Sequence, residues 1–178
     1  MTSAGGTVIR TRVLAGVAAT VMTTAAAIGI APPANAAYGI EMNGTYSAVS
    51  NGDWAKTGEV FIPENTVRAT WTVSTSCTTP WDCTGQVTSD QGWTAPIKFS
   101  VDRWILKRDI PNWAPCPQGP PATGHQQLIF WGLNTLDAGV DATNTREMSG
   151  WDETNTDSGS CGVNAPLFIR LPLRLTRV

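Results

Sequence analysis

"TVRATWTVSTS", residues Thr66–Ser76, alternates without a break. Val67, Ala69, Trp71 and Val73 fall on one side, with Thr66, Arg68, Thr70, Thr72 and Ser74 on the other. Successive side chains of a strand point to opposite faces, so the pattern reads as a half-buried β-strand and not as a helix. The same period recurs outward in both directions. In "YGIEMNGTYSA", Tyr38, Ile40, Met42, Tyr46 and Ala48 share a face, and Gly44 interrupts it as a bulge or sharp bend. "WTAPIKFS" groups Trp93, Ala95, Ile97 and Phe99, while "WILKRDI" groups Trp104, Leu106 and Ile110 against Lys107 and Asp109. "LFIRLPLRLTR" places Leu167, Ile169, Leu171, Leu173 and Leu175 inside; Pro172, on the other face, implies a free edge or a bulge.

The connections agree with strands. Asn51-Gly52 and Asp90-Gln91-Gly92 are turn signals, and Ser100–Arg103 can turn one alternating run onto the next. Adding "EVFI" and "QLIFWGL" gives about eight strands. Two long connections remain, the proline-rich Pro111–Gly124 and the polar, acidic Asn134–Gly162. The expected fold is all-β, one domain of antiparallel strands. Short sequential turns favour an up-and-down, lipocalin-like barrel over a sandwich.

The N-terminus reads differently. Arg10 and Arg12 are the only charged residues before Glu41; Val13–Ile30 carries no charge, and Ala34-Asn35-Ala36 supplies small residues for cleavage. This is the layout of a Sec-type signal peptide over 1–36, which leaves 37–178 as a single secreted β domain. An uncleaved anchor is the rival, but the run is rich in Ala, Thr and Gly, which insert weakly. No stable membrane span is expected after cleavage. The formal charge of the chain is −2, with no basic run, which argues against a nucleic-acid partner.

All four cysteines follow the leader, and an even count in an exported domain reads as two disulfides. Zinc would need four Cys or His ligands, whereas His125 is the one histidine and no C-x2-C pair occurs. Of three possible pairings, Cys77–Cys83 and Cys116–Cys161 are favoured. The first closes a turn stiffened by Pro80; the second pins the two long connections, since unpinned loops of that length are uncommon. No metal or other cofactor is implied.

Catalytic patterns are incomplete. "DSGSCG", Asp157–Gly162, resembles the surround of a serine-protease nucleophile, with His125 and Asp137 or Asp141 upstream. Ser160 stands where a glycine belongs, and the chain is short for that double barrel. The acids Asp137, Asp141, Glu147, Asp152, Glu153 and Asp157 crowd one stretch, but lack the order of a calcium-binding loop. A solvated acidic loop and a disulfide-anchored Gly/Ser loop are the simpler readings, and an enzyme is not expected. Asn43 begins a glycosylation sequon within a strand, where use is unfavourable.

Tryptophan is the conspicuous residue, with eight in the chain. Trp71, Trp93 and Trp104 lie on alternating apolar faces and read as core. Trp54, Trp81, Trp113 and Trp151 read as turn or loop residues, able to stack on sugars or cover a barrel mouth.

The stretches "SNGDWA", "CTGQVTSDQGW" and "PNWAPCP" are those by which the chain resembles a family of small exported proteins of mycobacteria and related actinobacteria. The likeness covers nearly all of 37–178. It implies export into a lipid-rich envelope or the medium, and it carries over no reaction and no catalytic residue. Two function classes follow. The first is non-catalytic binding of an apolar ligand, such as an envelope lipid, in the barrel, with Trp71, Trp93, Trp104, Trp113 and Trp151 as contacts. The alternative is a protein- or carbohydrate-interaction module that uses exposed loop tryptophans.

Overall fold

The computed structural model describes Met1 and residues 37–162 and 164–178. The expected signal peptide, apart from Met1, lies outside the described residues. The strands are β1 (Gly44–Ser50), β2 (Lys56–Thr57), β3 (Val60–Phe61), β4 (Val67–Thr79), β5 (Asp82–Ser89) and β6 (Thr94–Ser100). They continue with β7 (Arg103–Ala114), β8 (Ala122–Gly132), β9 (Glu147–Asn155) and β10 (Phe168–Arg177). β4 to β10 pair in sequence order, β4 pairs with β1, and β1 closes the ring by pairing antiparallel with β10 from Tyr46 opposite Arg177 to Ser50 opposite Leu173. The result is a closed, up-and-down antiparallel barrel, as the alternation and short turns led us to expect. β2 and β3 form a small hairpin outside the ring, attached where Thr57 faces Ile169.

Four sequence expectations need correction, the first being the connection Pro111–Gly124, which shrinks to 115–121 because β7 runs to Ala114 and β8 starts at Ala122. "EVFI" is not a barrel strand: Val60 and Phe61 form the exposed β3 of the appended hairpin. Asn134–Gly162 is not one long loop, because it contains all of β9, whose inward residues include Gly150, Asp152 and Thr154 and so hide the apolar period. Trp113 and Trp151 are strand residues, on β7 and β9. Asn51-Gly52 leads into a short 3₁₀ turn, Gly52–Trp54, where the Asp53 N–H donates to Asn51 Oδ1.

Pro172 has a specific place. Pairing with β1 ends at Leu173 and pairing with β2 begins at Arg170, so the proline lies between two partners. The Asn51 N–H donates to its carbonyl on that side, 2.8 Å away. A residue without an N–H costs no ladder bond there.

Side chains fill one half of the barrel. Tyr46, Trp104, Leu106, Phe130, Met148 and Leu175 are fully buried. Phe99 and Trp104 pack at 5.2 Å between ring centres, and Trp71 and Phe130 at 6.3 Å. Barrels of about eight strands are just wide enough for such filling. Ile40 and Met42, ahead of β1, join this core; the Met42 N–H donates to Thr75 Oγ1 at 2.8 Å. Cys77 bonds to Cys83 within the same cluster, and Cys116 bonds to Cys161 between the β7–β8 and β9–β10 connections. Both are the favoured pairings.

Candidate binding site at the barrel mouth

The other half of the barrel is built from different in-phase residues. On β7 the inward positions run Trp104, Leu106, Arg108, Ile110, and on β8 they run Gln126, Leu128, Phe130. β9 adds Asp152, and β1 ends inward on Ser50. Register sets Arg108 opposite Gln126. Arg108 Nε donates to Gln126 Oε1 at 2.6 Å, and Gln126 Nε2 donates to Asp152 Oδ1 at 2.7 Å. Ser50 Oγ donates to Asp152 Oδ2, also at 2.7 Å. These four side chains form a polar belt across the barrel.

The belt is desolvated. Asp152 is only 4% exposed, and burial pushes its carboxyl above the usual aspartate range although Ser50 and Gln126 pull it down. Burial also lowers Arg108, and the Asp152 charge counters that. The Arg108 guanidinium stacks over the Trp93 ring, 4.3 Å from its centre. Such a contact is favourable by about 0.5–2 kcal/mol, more when dry.

Above the belt lies an open-mouthed cavity of about 270 Å³. Its lining joins the apolar Val67, Ile110, Trp113, Ile169 and Leu171 to the polar Glu64, Asn65, Gln91 and Thr154 above the belt. Gly124 makes room for the Trp113 ring: a Cβ at that position would lie 2.7 Å from the ring and 2.8 Å from Thr154 Cγ2. Beneath the belt the hollow shrinks to about 20 Å³ between Ala48, Ala69, Trp71 and Leu128. That holds about one water molecule.

The tryptophans proposed as ligand contacts therefore divide. Trp71 lies at the floor, Trp93 on the belt and Trp113 on the wall of the mouth. Trp104 is fully buried among Phe99 and its neighbours and does not line the cavity. Trp151 faces outward, 39% exposed, in a second hollow with Trp54, Lys56, Phe61, Arg170 and Pro172. The sequence reading missed Arg108, Gln126, Asp152 and Ser50. For Arg108, Gln126 and Ser50 the signal was phase, since each is a polar residue two positions from an inward apolar one; Asp152, between Gly150 and Thr154, had no such signal.

The acids and the histidine do not converge on a serine. His125 lies between Asp109, at 2.7 Å from Nδ1, and Asp157, at 3.3 Å from Nε2. Hydrogen bonds to both carboxylates raise its pKa. Asp137 and Asp141 instead accept from their own loop, from the N–H groups of Gly139 and Thr143. Asp152 points into the barrel, and Glu153 pairs with Arg170 outside it.

No protein-family model matches the chain, and no curated protein sequence does either. Among solved structures it is similar to the sensor domain of PknI from M. tuberculosis, determined in its monomer form, with a TM-score of 0.54 at 17% identity. The match covers 78% of this chain and 88% of the sensor domain, and at that identity the two share a fold.

Proposed function

We propose that the chain is a non-catalytic binding module that takes a small ligand with an apolar body in the mouth of its barrel. The observation that carries this reading is the polar belt beneath a cavity lined in part by Ile110, Trp113, Ile169 and Leu171, at one end of a barrel packed solid at the other. Ligand sites join apolar walls to placed polar groups, and this mouth sets Val67, Ile110, Trp113, Ile169 and Leu171 against the belt. The two disulfides fit an oxidising compartment outside the cytoplasm. The solved sensor domain of like fold suits binding rather than catalysis. Of an envelope lipid, only a short terminal part would enter, because the core below the belt is filled.

Protein purified from its native host, extracted with organic solvent and analysed by mass spectrometry, should release such a ligand. Adding the ligand back should change the fluorescence of Trp93 and Trp113, an effect reduced in Trp113→Phe. An empty extract, with no fluorescence response to any amphipathic molecule, would overturn the reading.

One observation favours a second reading, the interaction module. Trp54 is 62% and Phe61 59% exposed, and they meet edge to face at 6.2 Å beside Trp151. Glycan-array or protein-capture signals lost in Trp54→Ala and Trp151→Ala, and kept in Trp113→Phe, would move the function to this outer hollow.

A further inference from the structure

We infer that the barrel mouth recognises a carboxylate, with Arg108 as the group that selects it, so that the ligand class is a small monocarboxylic acid with a short apolar tail. This rests on the mouth being the binding site.

Arg108 uses its donors unequally. A guanidinium carries five N–H groups in a planar fork. Arg108 spends its Nε proton on Gln126, and among the described residues its two terminal nitrogens donate to no protein acceptor. Arg108 lines both the cavity and the recess beneath it, so a ligand in the mouth would lie beside its side chain. The Arg108 guanidinium carbon lies over the Trp93 ring and its Nε is held by Gln126, two contacts that restrain the fork. A planar fork is matched by two oxygens in one plane, which a carboxylate offers.

Nearby charge narrows the class. Each Asp152 oxygen accepts one bond, from Ser50 or from Gln126, and neither accepts one from Arg108. Yet Asp152 borders the same cavity, and Glu64 is another of its lining residues. One cation near two acids suits a monoanion better than a doubly charged phosphate. The walls supply the rest: Ile110, Trp113, Ile169 and Leu171 offer an apolar lining for a tail. A cavity of about 150 Å³ suffices for benzene. The roughly 270 Å³ here suits a chain of medium length or an aryl-alkyl group, and the closed floor excludes a long one.

The test uses the protein secreted into culture medium and delipidated, with octanoate, octan-1-ol and octyl phosphate titrated by calorimetry and tryptophan fluorescence. Octanoate should bind the most tightly of the three. Arg108→Gln, which keeps a side chain able to reach Gln126, should weaken octanoate by about 10- to 100-fold and leave octan-1-ol nearly unchanged. Arg108→Lys should restore part of the difference, and an unchanged near-UV circular dichroism spectrum shows which variants are folded. If Arg108→Gln does not fold, the preference of the wild-type protein for octanoate over octan-1-ol decides the matter alone. Equal binding of acid and alcohol would sink the carboxylate inference while leaving the mouth as the site. Tighter binding of octyl phosphate would replace carboxylate with phosphate. No binding of any of the three would bring down both readings together.

Discussion

The two halves of the barrel share strands, alternation and hydrogen-bond ladders, and yet one is solid and the other hollow. In the solid half the inward positions are Tyr46, Trp104, Leu106, Phe130 and Met148, which interlock. In the hollow half the same strands present Ser50, Arg108, Gln126 and Asp152, which hydrogen-bond to one another and leave space above them. The backbone does not decide which half can receive a ligand. The residues placed in phase do, because apolar side chains gain by closing every gap whereas a paired polar group gains nothing further from contact.

The largest effect should come from the solid half. Trp104→Ala should cost about 3–5 kcal/mol, as for other buried aromatic truncations. Trp113→Ala, on the cavity wall, should cost clearly less. Urea denaturation of both variants measures the contrast, and equal losses would erase the distinction between the halves.

Next comes the cross-link at the mouth. Replacing Cys116 and Cys161 with serine frees a loop spanning 45 residues in sequence, worth about 4 kcal/mol of chain entropy. Calorimetric melting should show it as a lower Tm. An unchanged Tm would mean that the mouth is held by its ladders alone.

The belt should be worth less. Asp152→Ala leaves Gln126 and Ser50 facing a void and should cost about 1–3 kcal/mol. Asp152 also has a pH signature. Its folded pKa is raised above its ordinary value of 3.8. Its contribution is therefore full below that value and is lost as pH rises through the folded pKa. Asp152→Asn should flatten this part of the stability–pH curve, and a parallel curve would show that the carboxyl is not desolvated in solution.

The smallest effect should be at His125, on the outside. Its folded pKa is raised above 6.5, so its two ion pairs help fully below 6.5 and fade as pH rises through the folded pKa. His125→Gln should remove a slight slope above pH 6.5, measured as the difference from wild type.

Much of this was legible in the residues, and the gaps have physical causes. β4, β6, β7 and β10 stood out because large apolar residues recur at every second position. β9 did not. Of its inward residues only Met148 is large and apolar, and Gly150 has no side chain because a Cβ there would lie 2.6 Å from Phe130 Cα. Arg108 was passed over for a related reason. Listing the apolar face of "WILKRDI" skips a polar residue in the same phase, although Trp104, Leu106 and Ile110 assign it to the interior. The disulfides were legible too: the short turn stiffened by Pro80 favoured Cys77–Cys83, which leaves Cys116 for Cys161.

That second disulfide has a kinetic consequence. Cys116 and Cys161 tie the connection after β7 to the one after β9, and both connections adjoin strand ends that wall the mouth. Tied loops cannot part independently, so a guest would have to pass a rim of nearly constant width. The bond would then act as a brake on exchange: stopped-flow fluorescence should show entry and escape both quickening when it is cut, with their ratio little changed.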